Sequence, residues 1–140
     1  MTDDRRTMSE FVKLSFEEPH QRATPAKARE AVQQLLGDDA PIAMIRDAVL
    51  LTSELVTNAL LHAPGGCGLE ARFSRNPLWL RVDVSDSSAR PPRLSETSVA
   101  ALGGHGLRMV ENLSSRWGWR PAGDGKSIWF ELIDGATRDA

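Results

Sequence analysis

From about Pro41 to Ala63, apolar residues recur at three- and four-residue steps, and this run constrains the fold more than any other stretch of the chain. Ile45, Ala48, Val49, Thr52, Val56, Ala59 and Ala63 fall on one stripe, which predicts an amphipathic helix of about six turns. Pro64-Gly65-Gly66 stops it. A stripe of that length needs a broad apolar partner, and the flanking sequence offers strands. Val12, Leu14 and Phe16 alternate with Lys13, Ser15 and Glu17. Leu69, Ala71 and Phe73 alternate with Glu70, Arg72 and Ser74, and Leu80, Val82 and Val84 with Arg81, Asp83 and Ser85. Arg75-Asn76-Pro77 makes the turn of a hairpin between these two runs.

Shorter elements complete the pattern. Thr24 and Pro25 read as the N-cap and first position of a helix, which buries Ala28, Ala31, Val32 and Leu35 and ends at Gly37. A third helix starts near His105 and buries Leu107, Val110 and Leu113. Two last strands, around Arg116 to Arg120 and Ser127 to Ile133, flank a turn at Gly123-Asp124-Gly125. The order β-α-α-β-β-α-β-β predicts an α+β fold. Its form is a two-layer sandwich: a mixed, largely antiparallel sheet with helices on one face.

At 140 residues the chain is the size of one domain, expected over residues 11–135 with flexible ends at 1–10 and 136–140. A formal charge of −2 argues against phosphate-driven nucleic-acid binding, which needs a basic face. No apolar run approaches the ~20 residues of a membrane span and no signal-peptide pattern opens the chain, so a cytoplasmic protein without membrane contact is expected. Cys67 is the only cysteine, which excludes an intrachain disulfide and a multi-cysteine metal site. Between Gly66 and Gly68 at a strand entrance, it reads as a small buried filler and not as a nucleophile.

Three segments carry chemistry-bearing residues. Glu54, Asn58 and His62 are spaced by four on the long helix, so they share a face roughly opposite the apolar stripe, flanked by Leu51, Leu55 and Leu61. Polar groups among apolar neighbours need partners, although Glu54 and Asn58 facing plain water is the simpler alternative. Asp86 continues the alternation of Leu80, Val82 and Val84, which puts a carboxylate on the core-facing side at a strand end. It either meets hydrogen-bond donors there or caps its own turn through Ser88. Gly103-Gly104-His105-Gly106-Leu107 leads into a helix, where backbone N–H groups can approach an anion, or it is an ordinary flexible turn. The stretch before it, Ser87 to Gly104, is about eighteen residues long, the length of a functional lid more than of a connector. Together the three segments suggest a nucleotide site with Mg²⁺ held by oxygen ligands, and the absence of a Walker-type glycine-lysine loop rejects a P-loop fold.

Glu54-Leu-Val-Thr-Asn58-Ala with His62 resembles the N-box of the gyrase and histidine-kinase type of ATP-binding domain, and more narrowly of the anti-sigma-factor serine kinases. The resemblance runs from about residue 11 to 133 and implies a Bergerat-type ATP-binding fold. It implies that Asn58 ligates Mg²⁺, that Glu54 acts as general base, and that Asp86 reads the adenine amino group. By the same resemblance Gly104, His105, Gly106 and Leu107 form the glycine box that ends an ATP lid, and Gly125-Lys126-Ser127 forms the closing turn near the base, with Ser127 among the nucleotide-binding residues. His62 completes the nucleotide-binding set. The implied activity is transfer of the ATP γ-phosphoryl group to a serine of an anti-anti-sigma antagonist protein, with a sigma factor as second partner. A homodimer through the sheet is a further expectation, with Trp79 either in that face or packed under a loop. The alternative is a regulatory module that binds ATP or a partner without phosphoryl transfer. The sequence departs from the family pattern after Asp86, where Ser87-Ser88-Ala89-Arg90-Pro91-Pro92 stands in place of glycines.

Overall fold

The computed structural model of the chain describes residues 10–17, 23–62, 65–88, 90 and 106–133; the side chains at 62, 106 and 107 are not among those described. Its elements are β1 (Glu10–Phe16), α1 (Ala23–Leu36), α2 (Ile42–His62), β2 (Cys67–Arg75), β3 (Leu78–Asp86), α3 (Gly106–Leu113), β4 (Arg116–Ala122) and β5 (Gly125–Ile133). The strands form one sheet in the order β1-β2-β3-β5-β4. Expected to be largely antiparallel, the sheet is antiparallel in all four pairings. After β3 the chain passes through α3 to the far edge strand β4 and returns as β5 between β4 and β3. The fold is α+β, a two-layer sandwich.

Strand alternation decides the faces. Leu69, Ala71 and Phe73 of β2, Leu80, Val82 and Val84 of β3, and Ile128, Phe130 and Leu132 of β5 are all buried in one core with the helices. Each large side chain so buried contributes roughly 1.5–3 kcal/mol. The opposite face carries charge. The Arg81 guanidinium lies 4.2 Å from the Trp129 ring centroid and pairs with Asp83 at 3.0 Å and Glu131 at 3.4 Å. Arg116 Nε donates to the same Glu131 at 2.9 Å. Trp79 is half-buried on this face, paired with Ser74 and Ile133.

The helices follow the pattern with two corrections. α1 begins at Ala23, so Thr24 is a buried first-turn residue and not the N-cap. Pro25 still sits among the first four helical residues, whose N–H groups have no intrahelical acceptor. Gly37 closes the helix as expected, at φ +60°, with its N–H donating to the Gln33 carbonyl at 3.0 Å. On α2 the buried side is Met44, Ala48, Leu51, Thr52, Leu55, Val56 and Ala59, while Ile45 and Val49 are half-buried. Leu51 and Leu55 are therefore core residues and do not flank the polar face. α2 packs against α1 and α3 as well as the sheet, and three neighbours widen its buried arc beyond a single stripe. No helix among the described residues is long and apolar enough to cross a membrane.

The Thr52 hydroxyl is fully buried and has no hydrogen-bond partner among the described residues. Replacing it by a methyl removes an unsatisfied group at nearly constant shape. Thr52→Val should raise stability by about 1 kcal/mol, read as a higher urea midpoint at unchanged slope. A lower midpoint would mean that the hydroxyl has an acceptor it needs.

Candidate functional site

The helix side of the site is the C-terminal half of α2. Glu54 and Asn58 stand one turn apart and are both half-buried, which fits a partly covered face better than a solvated one. His62 closes the helix. Only residues 63–66 separate α2 from β2, and Cys67 at the start of β2 is the pairing partner of Asp86 at the end of β3. The connection also touches the segment after β3: a Cβ built on Gly65 would lie 3.0 Å from Ser87 Oγ. The C-terminal end of α2 and the Asp86 end of β3 therefore lie at the same end of the sandwich.

Asp86 is where the alternation places it, on the helix-facing side, with its side chain only 4% exposed. Both readings of this carboxylate hold at once. Its Oδ1 accepts the Ser88 N–H at 2.8 Å, capping the following turn. It also faces a cation, since Lys126 Nζ lies 3.2 Å from Oδ1 and 3.1 Å from Oδ2, with the lysine side chain 7% exposed. Lys126 and Asp86 are cross-strand partners in the β3–β5 ladder. Each charge offsets the other's burial, and removing either would strand its partner in a poorly solvated place. The β4–β5 turn is pressed against the same point: a Cβ on Gly125 would fall 1.8 Å from the Asp86 carbonyl oxygen, so only glycine fits.

The resemblance implies the turn Gly125-Lys126-Ser127 near the base and takes Ser127, not Lys126, as its site residue. The structure does not bring Ser127 to Asp86. Ser127 pairs with Ser85 on the other face of the sheet, and its hydroxyl lies 3.4 Å from Asp83 Oδ1. The available signal was parity, because Lys126 is in phase with Ile128, Phe130 and Leu132, whereas Ser127 is in phase with Trp129 and Glu131. Gly104 and His105 lie outside the described residues; Gly106 opens α3 and Leu107 follows it. Among the described residues no group of three or more His, Cys, Asp or Glu side chains is gathered as a metal site.

Cys67 behaves as a filler. It is buried, and burial pushes its thiol pKa above the ordinary value, with the Asp86 carboxylate opposite adding to the rise. A raised pKa withholds the thiolate at a given pH, so the onset of reactivity moves to higher pH. At pH 8 the native protein should react with a disulfide reagent at least ~10-fold more slowly than the urea-unfolded chain. Equal rates would return Cys67 to the candidates for a nucleophile.

No family model and no curated protein matches the chain. Among solved structures it is similar to the crystal structure of the RsbU and RsbW domains of Rv1364c from Mycobacterium tuberculosis. The two share 18% sequence identity at a TM-score of 0.66, over 89% of this chain and 32% of that one. The chain thus spans about a third of the length of that structure, and the likeness is one of fold.

Proposed function

We propose that the chain binds ATP with Mg²⁺ at the Asn58–Asp86 end of the sandwich and transfers the γ-phosphoryl group to a serine of a small antagonist protein, in the manner of the anti-sigma-factor serine kinases. A sigma factor would be its second partner. The observations that carry the reading are a half-buried Glu54–Asn58 turn toward the C-terminal end of α2 and a buried carboxylate at the end of β3, opposite Cys67 at the start of β2. Fold-level likeness to a structure containing an RsbW domain supports it.

The residues fit the chemistry. Asn58 offers an amide oxygen, the kind of ligand Mg²⁺ takes, with phosphates and water supplying the others. When bound, the ion would neutralise charge on the phosphates. Glu54, one turn away, would accept the proton of the attacking serine hydroxyl or orient it. Asp86 would meet the base. The Gly104–Leu107 segment would close over the phosphates with its backbone N–H groups, a role proposed from sequence alone. A second reading keeps the fold as an ATP- or partner-binding regulatory module without phosphoryl transfer. The ion pair already occupying Asp86 favours it.

Titration calorimetry tests the first reading. Mg-ATP should bind the wild type saturably, and Asn58→Ala should weaken it by at least ~10-fold, which corresponds to about 1.4 kcal/mol. Glu54→Ala should keep binding but abolish transfer of labelled phosphate to a serine-bearing antagonist protein. Binding without transfer to any antagonist leaves the regulatory module, and no binding at millimolar Mg-ATP to folded protein removes the ATP site.

A further inference from the structure

We infer that Lys126 is a built-in occupant of the base-reading carboxylate, and that it sets how tightly and how selectively this site takes a nucleobase; the inference rests on the ATP-site reading above. The carboxylate of Asp86 offers about four acceptor positions on its two oxygens. Three are already engaged by the chain itself: Oδ1 takes the Ser88 N–H at 2.8 Å and Lys126 Nζ at 3.2 Å, and Oδ2 takes Nζ again at 3.1 Å. A third ammonium direction points to the Ser88 carbonyl at 3.5 Å. An exocyclic amino group arriving at Asp86 must share Oδ2 or displace the ammonium.

Displacement is hard here for two reasons. The amino group of a base is a neutral donor, whereas the ammonium adds the attraction of its own positive charge for the carboxylate. The lysine side chain is also buried, only 7% exposed, unlike that of a surface lysine. Its backbone is held in the β3–β5 ladder opposite Asp86, and the preceding Gly125 is packed against the Asp86 carbonyl with no room even for a Cβ. Lys13 and Lys27, the other two lysines, are exposed; the buried one is the one at this carboxylate. Lys126 is thus a specificity-determining residue that acts through Asp86. With the ammonium in place, the amino group of the base adds little to binding. Without it, the base becomes the partner that the buried carboxylate lacks, and binding tightens.

The experiment compares Mg-ATP with the Mg-triphosphate of unsubstituted purine riboside, which lacks the 6-amino group, on wild type and on Lys126→Met. Calorimetry gives affinity, and thermal melting without nucleotide reports the fold. For the wild type the two nucleotides should bind within about 3-fold of each other, since Asp86 is already taken. Lys126→Met should melt lower in the absence of nucleotide, bind Mg-ATP at least ~10-fold tighter, and now discriminate against the analogue by ~10-fold or more. A lysine that served only to hold the fold together would not create amino-group discrimination. If Lys126→Met does not fold, the wild-type comparison still decides, because a loss of ~10-fold or more without the amino group overturns the inference while leaving the ATP site standing. Tighter binding by the variant when the wild type binds neither nucleotide supports it. Unchanged or weaker binding by a folded variant overturns it, and absence of ATP binding to both proteins removes the ATP site and this inference together.

Discussion

The register between β3 and β5 decides which side of the sheet every charge at its centre occupies. Val82 faces Phe130 and Val84 faces Ile128 on the helix side, while Arg81 faces Glu131 and Asp83 faces Trp129 on the other. A slip of one residue would reverse the β5 series, sending Phe130 toward water and Glu131 into the core. The apolar contacts with α2 hold the register. The same register carries Asp86 and Lys126 to the helix side together, so the site is a consequence of core packing and not a separate construction. The charged face helps from behind: Glu131 is held by both Arg81 and Arg116, contacts that the slipped arrangement would lose.

The architecture was legible wherever periodicity was clean. The alternation in β1, β2 and β3, the stops at Gly37 and after α2, and the turns at Asn76-Pro77 and Gly123-Asp124 all read directly from residue type. The details that failed depended on tertiary neighbours. Thr24 looks like a cap because threonine favours that place, yet the helix starts one residue earlier and the side chain is buried. Leu51 and Leu55 were misplaced because a stripe drawn for one covering surface ignores the helices α1 and α3 on either side of α2. At the site, Glu54, Asn58 and Asp86 were visible as polar residues out of keeping with their surroundings. Lys126 was not, since a lysine beside a glycine turn reads as solvated, and only its phase with Ile128, Phe130 and Leu132 betrays it. The glycine box and the long segment after Asp86 have no periodicity to read, and they fall mainly outside the described residues.

A buried ion pair at the end of a sheet is weak evidence for stability, because desolvation of two charges opposes their attraction. Its value lies in what it excludes. Asp86 without a cation would be a buried carboxylate in search of other donors. With Lys126 it has one arrangement, supported by the Ser88 N–H. The pair therefore fixes the shape of the site in the absence of a ligand, and it links the state of the site to the hairpin that carries the lysine.

The β4–β5 turn joins two very different environments over three residues. Gly123 adopts a φ of +58° with nothing near the place of a Cβ, and Asp124 is exposed, yet Gly125 has no free volume at all. Variation is thus open at 123 and 124 within the limits of the turn, and closed at 125. For protein engineering this is a useful discontinuity. A fluorophore attached through a cysteine at position 124 would sit in water, two residues from the buried ammonium, and would report rearrangement of that charge without entering the site.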